Sequence, residues 1–257
     1  MRQRPGIASP YLPDADWSVG DVLLALFAGF GGALVAGAYL AQTRGSAPVG
    51  VGDLAVTVLA QAVGTLSVVV ALSRRRGTGD WRRDFGLRLR LGDVWGLAGG
   101  LGLQLGSAFI VGPLVELVAP DEIPRQSLVE VGERVSGSGS VLVFLFLVVV
   151  VAPLVEETVF RGMLLSRLRR SMAPWPAIVV SAAAFAALHL LDPNALYAVP
   201  GLFVVGLALG WLALRTGDLG LPIFVHAGVN LTGAVVLLFG DELLEMTEQT
   251  AAILLAW

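Results

Sequence analysis

The stretch SVLVFLFLVVVVAPLVEETVFRGMLLSRLRR, from Ser140 to Arg170, decides the class of fold. It begins with a long run of apolar residues, and about 20 such residues are enough for a helix to cross the hydrocarbon core of a bilayer. It then places Glu156, Glu157 and Arg161 where hydrocarbon is expected. Because ionisable groups inside a membrane are costly, each of these three residues is a candidate functional residue.

The composition of the whole chain indicates a membrane protein. Of its 257 residues, 56% are hydrophobic and only 14% are charged, whereas soluble domains carry about 25% charged residues. The mean hydropathy is +0.79. The absence of cysteine excludes disulfides, iron–sulfur clusters held by cysteine and thiol catalysis. The net charge of −3 gives no indication of a nucleic-acid partner, so none is predicted.

Apolar stretches of spanning length recur, so the sequence predicts an all-α, polytopic bundle of seven or eight transmembrane helices. The seven predicted spans are Val22–Gln42, Leu54–Ser73, Val94–Val118, Val141–Ser166, Trp175–Leu190, Leu196–Leu214 and Leu219–Phe239. The amphipathic tail 241–257 lies on the surface or forms a partial eighth span. The polar N-terminal residues 1–17 are interpreted as a tail and not as a signal peptide. The small residues of Gly96–Gly106 predict close helix packing.

The placement of arginine predicts the orientation, because positively charged loops stay in the cytoplasm. All 17 basic residues are arginine, and seven of them lie in Arg74–Arg90. The segment Arg167–Arg170 adds three more, whereas the loop Ala119–Gly139 is mainly acidic. We therefore expect a multi-pass cell-membrane protein with a cytoplasmic N-terminus and an external Ala119–Gly139 loop.

The three charged residues of the fourth span have different expected surroundings. Glu157 and Arg161 are four residues apart, so on a helix they share a face and can pair. Glu156 points about 100° away from Glu157 and has no local partner. Two interpretations of Glu157 and Arg161 stay open, namely a buried structural ion pair and part of a functional site. Glu156 is the stronger functional candidate because an unpaired carboxylate is a poor structural device.

The only two histidines of the chain also lie inside predicted spans. His189 closes the motif FAALH, and His226 and Asn230 share a helix face in the motif HAGVN. A lone histidine is usually a satisfied core residue, but two of them with a spare carboxylate favour a shared site. Helical rise places Glu156 about 15 Å, His226 about 10 Å and His189 about 20 Å from the cytoplasmic end of their spans, which predicts a site near the cytoplasmic half or the middle of the bilayer.

This set of side chains suits hydrolysis of a peptide bond. A carboxylate and an imidazole can together deprotonate a water molecule, and an imidazole and an amide can donate to an oxyanion. The same set could instead hold a divalent metal such as zinc, with Glu156, His189 and His226 as ligands. Ser181 is a weaker alternative as a nucleophile. We favour a mechanism that requires no cofactor.

Three motifs in order, EETVFRG, FAALH and HAGVN, resemble those of the CPBP family, which includes the type II CAAX prenyl proteases and their bacterial relatives. The resemblance implies an intramembrane endopeptidase acting on a membrane-associated peptide or protein substrate, which is CAAX-like in some members. It implies that Glu156 is the water-activating base and His189 its assistant. It implies that His226 and Asn230 stabilise the oxyanion. The supporting residues are Glu157, Arg161 and, from the second motif, Phe185.

The resemblance also divides the chain. Residues 1–140 are predicted to be a tail with three variable helices, residues 141–240 the catalytic core, and residues 241–257 the C-terminal tail. Besides the substrate, the bilayer is the expected partner, and the short loops suit a bacterial plasma membrane. Two other functions remain open. One is a non-proteolytic binding or immunity protein that keeps the fold, and the other is a proton-coupled transporter.

Overall fold

The computed structural model describes residues 13, 15–118 and 126–255, except for the side chains of Glu116 and of residues 241–255. These residues form helices and connections, and none of them forms a strand. Seven helices are long and apolar enough to cross a membrane: α1 Val19–Arg44, α2 Val51–Arg76, α3 Leu91–Val115, α4 Ser138–Arg169, α5 Pro174–Leu191, α6 Pro193–Thr216 and α7 Gly220–Leu255. The seven predicted spans and the all-α bundle are therefore confirmed.

The ends of the helices follow from local sequence signals. Before α1, the hydroxyl of Ser18 accepts a hydrogen bond from the amide of Asp21, whose carboxylate accepts one in return from the amide of Ser18. Such a capping box satisfies two amides that have no partner within the helix. Pro174 stands in the first turn of α5, where its missing N–H costs nothing. At the end of α6, Gly217 adopts a φ of 78°, a left-handed conformation that glycine accepts readily.

The last helix is longer than a membrane requires. Its 36 residues span about 54 Å at 1.5 Å per residue, against a hydrocarbon core of about 30 Å. The backbone of residues 241–255 continues α7 without a break, so this part of the C-terminal tail is neither a separate surface helix nor an eighth span. The predicted amphipathic side chains of the tail lie outside the described residues, as does most of the N-terminal tail.

Small residues let α3 and α7 approach closely. A β-carbon on Gly100 would overlap the carbonyl oxygen of Val225, and one on Gly228 would overlap that of Leu97. Only glycine fits where two helix backbones meet in this way. The prediction of close packing for Gly96–Gly106 is thus confirmed in its first half, whereas a β-carbon on Gly102 or Gly106 would meet no neighbour within 4 Å. The contact fixes the position of α7, which carries His226 and Asn230.

Ion pairs gather four parts of the chain at one end of the bundle. Asp21, at the start of α1, accepts from Arg76, at the end of α2, at 2.7 Å. In the same region Arg90 pairs with Asp218 at 2.6 Å. Beyond α4, Arg170 donates to the carbonyl of Ala15 at 3.1 Å. We call this the arginine end, and we call the end with the α1–α2, α3–α4 and α5–α6 connections the opposite end.

A buried aspartate organises the α2–α3 connection at the arginine end. The carboxylate of Asp84 accepts from the hydroxyl of Ser73 at 2.6 Å and from the amide and hydroxyl of Thr78. The indole of Trp17 donates to the carbonyl of Asp84 and stacks on Phe85, with ring centroids 5.0 Å apart. Burial opposes the ionisation of Asp84, but the hydrogen bonds from Ser73 and Thr78 outweigh it and lower the pKa of this carboxyl.

Candidate active site

The helix that carries the glutamates is irregular. Within α4, residues Phe146–Val151 and Thr158–Leu165 are π-helical, and they flank the α-helical segment Ala152–Glu157. The π-helix is rare, and its short occurrences inside α-helices are frequent at functional sites. The wider turns place both glutamates between two segments whose backbone hydrogen bonding is altered.

Glu157 and Arg161 form the buried ion pair that their spacing predicted. Arg161 Nη1 lies 2.7 Å from Glu157 Oε1, and both side chains are 0% exposed. The second guanidinium nitrogen, Nη2, donates to the carbonyl of Gly206 in α6 at 3.1 Å. A side chain at Gly206 would press on Ala182 in α5, so this glycine lets α6 pack closely against α5. The pair thereby links α4 to α6.

His226, from α7, completes this cluster and joins it to Glu156. Its Nδ1 lies 2.9 Å from Glu157 Oε1, the same oxygen that accepts from Arg161. Its Nε2 lies 3.6 Å from Oε2 of Glu156, which is an ion-pair distance and too long for a hydrogen bond. Because a carboxylate accepts, Nδ1 is the donor, and in the neutral ring Nε2 then carries the lone pair. The imidazole therefore lies between the two carboxylates.

Asn230 binds a carbonyl that the helix leaves without a donor. Its side-chain amide donates to the carbonyl of Val148 at 2.8 Å. In a π-helix that carbonyl would accept from the fifth residue along the chain, but this residue is Pro153, which has no N–H. The amide of Ala152 is engaged with Leu147 instead. Asn230 thus has a structural task that ties α7 to α4, and it keeps a second N–H available.

His189 ends the regular part of α5, next to an aromatic hub. Its Nδ1 lies 3.0 Å from the carbonyl of Phe185, and because a carbonyl can only accept, Nδ1 is the donor and Nε2 is the basic nitrogen of the neutral ring. The ring of Phe185 contacts His189 and His226 with centroids 5.0 and 5.7 Å apart. The guanidinium of Arg161 lies 4.7 Å from the centroid of the same ring, within the range of a cation–π interaction.

Glu156 and His189 line one cavity of about 280 Å³. The side chain of Glu156 is 28% exposed, in contrast to the fully buried Glu157. The spacing of the motifs did not indicate the other polar residues of the wall, which are Gln61, Thr65, Gln126 and Asp192. Gln61 and Thr65 belong to α2 and stand in a helix of ordinary composition, so only the tertiary fold brings them to the site. The cavity thus draws on both halves of the chain.

The structure brings the predicted residues together in two layers. Glu156 and His189 face the cavity, and His226 lies behind Glu156 with only 3% of its surface exposed. Neither His226 nor Asn230 is among the residues that line this cavity. His189 stands in the last turn of α5, so the cavity extends from the middle of the bundle, where Glu156 lies, toward the opposite end. The depth estimates put the site in the cytoplasmic half or the middle of the bilayer.

Two alternative chemistries can be compared with the geometry. The hydroxyl of Ser181 is buried and donates to the carbonyl of Phe160 at 3.0 Å, and Ser181 does not line the cavity. Among the described residues, no group of three or more histidine, aspartate or glutamate side chains is arranged to hold a metal ion. The set of Glu156, His189 and His226 therefore does not fit a three-ligand zinc site in this arrangement.

The fold is that of a polytopic helical membrane protein, in which Glu156 and His189 line a cavity and Glu157 and His226 lie buried behind it. Residues 138–232 match the family described as type II CAAX prenyl endopeptidase Rce1-like. All three motifs fall inside the matched segment, so the resemblance predicted from them is confirmed over α4, α5, α6 and the first part of α7. The matched family is, by its description, one of endopeptidases.

A second similarity covers a similar share of the chain. An uncharacterized 24.3 kDa protein of Escherichia coli is 35% identical over 102 residues, which are 39% of this chain and 45% of that protein. The aligned part thus spans less than half of that relative's length. No solved structure matches the chain.

Proposed function

We propose that the chain is an intramembrane endopeptidase in which Glu156 and His189 activate the attacking water. The observation that carries the proposal is that these two side chains line the same cavity within a segment similar to an endopeptidase family. Glu156 is the one of the two adjacent glutamates that reaches the cavity, whereas Glu157 is held by Arg161 and His226. A partly exposed carboxylate that shares a cavity with a basic imidazole nitrogen is suited to general-base work.

The proposed reaction is direct hydrolysis. One proton of the water passes to Glu156 while the water oxygen bonds to the carbonyl carbon of the scissile peptide. The carbonyl oxygen becomes an oxyanion, and the carbon–nitrogen bond then breaks as the proton passes to the departing amine. The basic Nε2 of His189 can orient the water by accepting its other hydrogen.

His226 and Asn230 are proposed to stabilise the oxyanion. Asn230 has one amide N–H beyond the bond to Val148. His226 donates from Nε2 only when the ring carries both protons, with Nδ1 directed to Glu157. Both residues lie behind the cavity wall, so the role requires the substrate carbonyl to reach past Glu156. Glu157, Arg161 and Phe185 are proposed to hold His226 in place.

The test compares newly formed protein termini in cells that express the wild type, Glu156→Gln or Glu130→Gln. Glu130 is an exposed glutamate outside the cavity and serves as the matched control. We expect membrane-protein termini that the wild type and Glu130→Gln produce and Glu156→Gln does not. Purified wild type in liposomes should then cleave a synthetic peptide spanning such a site. Equal sets of termini in all three strains would contradict the proposal.

A further inference from the structure

One end of the cavity lies away from the arginine-rich connections of the bundle. Three lining residues come from the two connections at the opposite end, namely Gln126, Leu128 and Asp192, and Leu191 and Ala195 lie in the helical turns on either side of Asp192. The two connections are joined, because the amide of Ser127 donates to Asp192 at 2.8 Å. No described lining residue belongs to a connection at the arginine end. One end of the cavity therefore lies at the opposite end of the bundle.

The charges of the two ends are strongly unequal. Eleven of the described arginines lie at the arginine end, seven of them in Arg74–Arg90, three in Arg167–Arg170 and one at Arg215, whereas the opposite end carries Arg44 and Arg134. Short loops rich in arginine remain in the cytoplasm during membrane insertion. This asymmetry places the opposite end, and with it the end of the cavity, on the extracytoplasmic side.

The residues at this end of the cavity suit contact with water. Asp192 accepts from the amides of Ser127 and Asn194. Burial opposes its ionisation, but these hydrogen bonds outweigh the burial and lower the pKa of the carboxyl. Deeper in the cavity the wall becomes apolar, with Leu26, Phe30 and Val159 among its side chains. The cavity thus runs from a charged rim to an apolar interior that contains Glu156.

We infer that the cavity is entered from the extracytoplasmic side, and that its substrates are peptide bonds near the extracytoplasmic end of a membrane-embedded apolar segment. The substrate class rests on the proposed function, whereas the side of access does not. A polypeptide with an apolar stretch and a polar flank matches the gradient from rim to interior. A soluble cytoplasmic C-terminal peptide would have to reach Glu156 from the arginine end, where none of the described connections contributes a lining residue.

The side of access can be measured by cysteine labelling, because the chain has no native cysteine. Leu188→Cys and Leu191→Cys place a thiol on the cavity wall, and Arg82→Cys and Arg88→Cys place one on exposed positions at the arginine end. Intact cells are treated with a small, membrane-impermeant methanethiosulfonate. We expect both cavity variants to react in intact cells, and both arginine-end variants to react only after the cytoplasmic side is opened.

Three results would overturn the inference. The first is that the arginine-end thiols react in intact cells. The second is that the cavity thiols react only from the cytoplasmic side. The third is that the cavity thiols react from neither side, which would indicate access from lipid. A variant is used only if its unfolding temperature equals that of the cysteine-free parent. Two variants are available for the cavity and two for the arginine end. The labelling does not depend on catalysis, so its result can be interpreted even if the proposed function is wrong. If cleavage is established, the impermeant reagent added outside should block it in Leu191→Cys and not in Arg82→Cys.

Discussion

The buried carboxylate of Glu157 holds the imidazole of His226 at 2.9 Å through the same oxygen that accepts from Arg161. One oxygen atom therefore connects α7, α4 and, through the guanidinium, the carbonyl of Gly206 in α6. Glu156, one residue earlier, shares none of this burial and instead reaches the cavity. The two adjacent glutamates thus lie in different surroundings, and substitutions can test whether their tasks differ.

We expect Glu156→Gln to abolish proteolysis and to leave folding largely intact. The amide cannot accept a proton from water, and the side chain is 28% exposed with no close hydrogen bond to lose. Activity should be measured on a substrate identified from the termini, and stability by thermal unfolding in detergent. A variant that keeps more than a small fraction of the wild-type rate would show that another residue is the base.

Glu157→Gln should instead reduce accumulation and stability. The substitution leaves the buried Arg161 without its counter-charge, and breaking a buried ion pair costs about 3–5 kcal/mol. Yield from membranes and the midpoint of thermal unfolding are the measurements, with Glu156→Gln as the matched neighbour. If the two variants behave alike in both yield and activity, the division of tasks between the glutamates is wrong.

Asn230 requires two substitutions, because it has a structural bond besides its proposed catalytic role. Asn230→Ala should lower the rate by about 10²–10³, as expected when one oxyanion donor is lost, and should also lower stability because the carbonyl of Val148 loses its donor. Adding Pro153→Ala supplies a backbone N–H that can serve this carbonyl. We expect the double variant to recover stability and not activity. Recovery of both would assign Asn230 a purely structural role.

Asp84 should give the protein an acid-sensitive stability. Its pKa is lowered in the folded state, so it contributes stability that is present above the unfolded-state pKa of about 3.9. That stability is lost as the pH falls from there toward the lower folded-state pKa. Asp84→Asn should be less stable at neutral pH and should lose less on acidification. Asp80→Asn, which keeps a helix-capping side chain, is the control and should retain the wild-type pH dependence.

We expect exhaustive chelation to leave the activity of purified protein unchanged, because the described side chains do not form a three-ligand site. Activity and elemental content should be followed together through chelation. The expectation would be overturned if the protein contained stoichiometric zinc, lost its activity together with the zinc, and regained activity when zinc was added back. Such a result would make Glu156, His189 and His226 ligands in an arrangement different from the one described.

Much of the fold could be predicted from hydropathy, because a helix in a bilayer must satisfy its own backbone and therefore needs a long apolar run. The i,i+4 spacing likewise predicted the pairing of Glu157 with Arg161, since that contact is local to one helix. The contact of Glu157 with His226 and the presence of Gln61 in the cavity could not be predicted. Both depend on how distant helices pack, and a single sequence carries no local signal for such contacts.

The π-helical segments also limit what the sequence can predict about the positions of residues in α4. Ideal α-helical geometry describes neither Phe146–Val151 nor Thr158–Leu165, so residue-counting estimates of depth and facing are least reliable around the glutamates. The depth estimate for His189 placed it far along its span, as the structure does. The predicted position in the cytoplasmic half or the middle of the bilayer did not indicate how far the cavity extends toward the opposite end.

The missing N–H of Pro153 has a consequence for the evolution of this chain. The proline makes the carbonyl of Val148 dependent on a side chain from α7, so selection on backbone integrity alone would retain an amide at position 230 even in a descendant without the proposed activity. A chain that replaced the proline first would release that constraint and could then drift at position 230. The order in which the two positions change in a lineage would therefore record whether hydrolysis or helix geometry was the last property under selection.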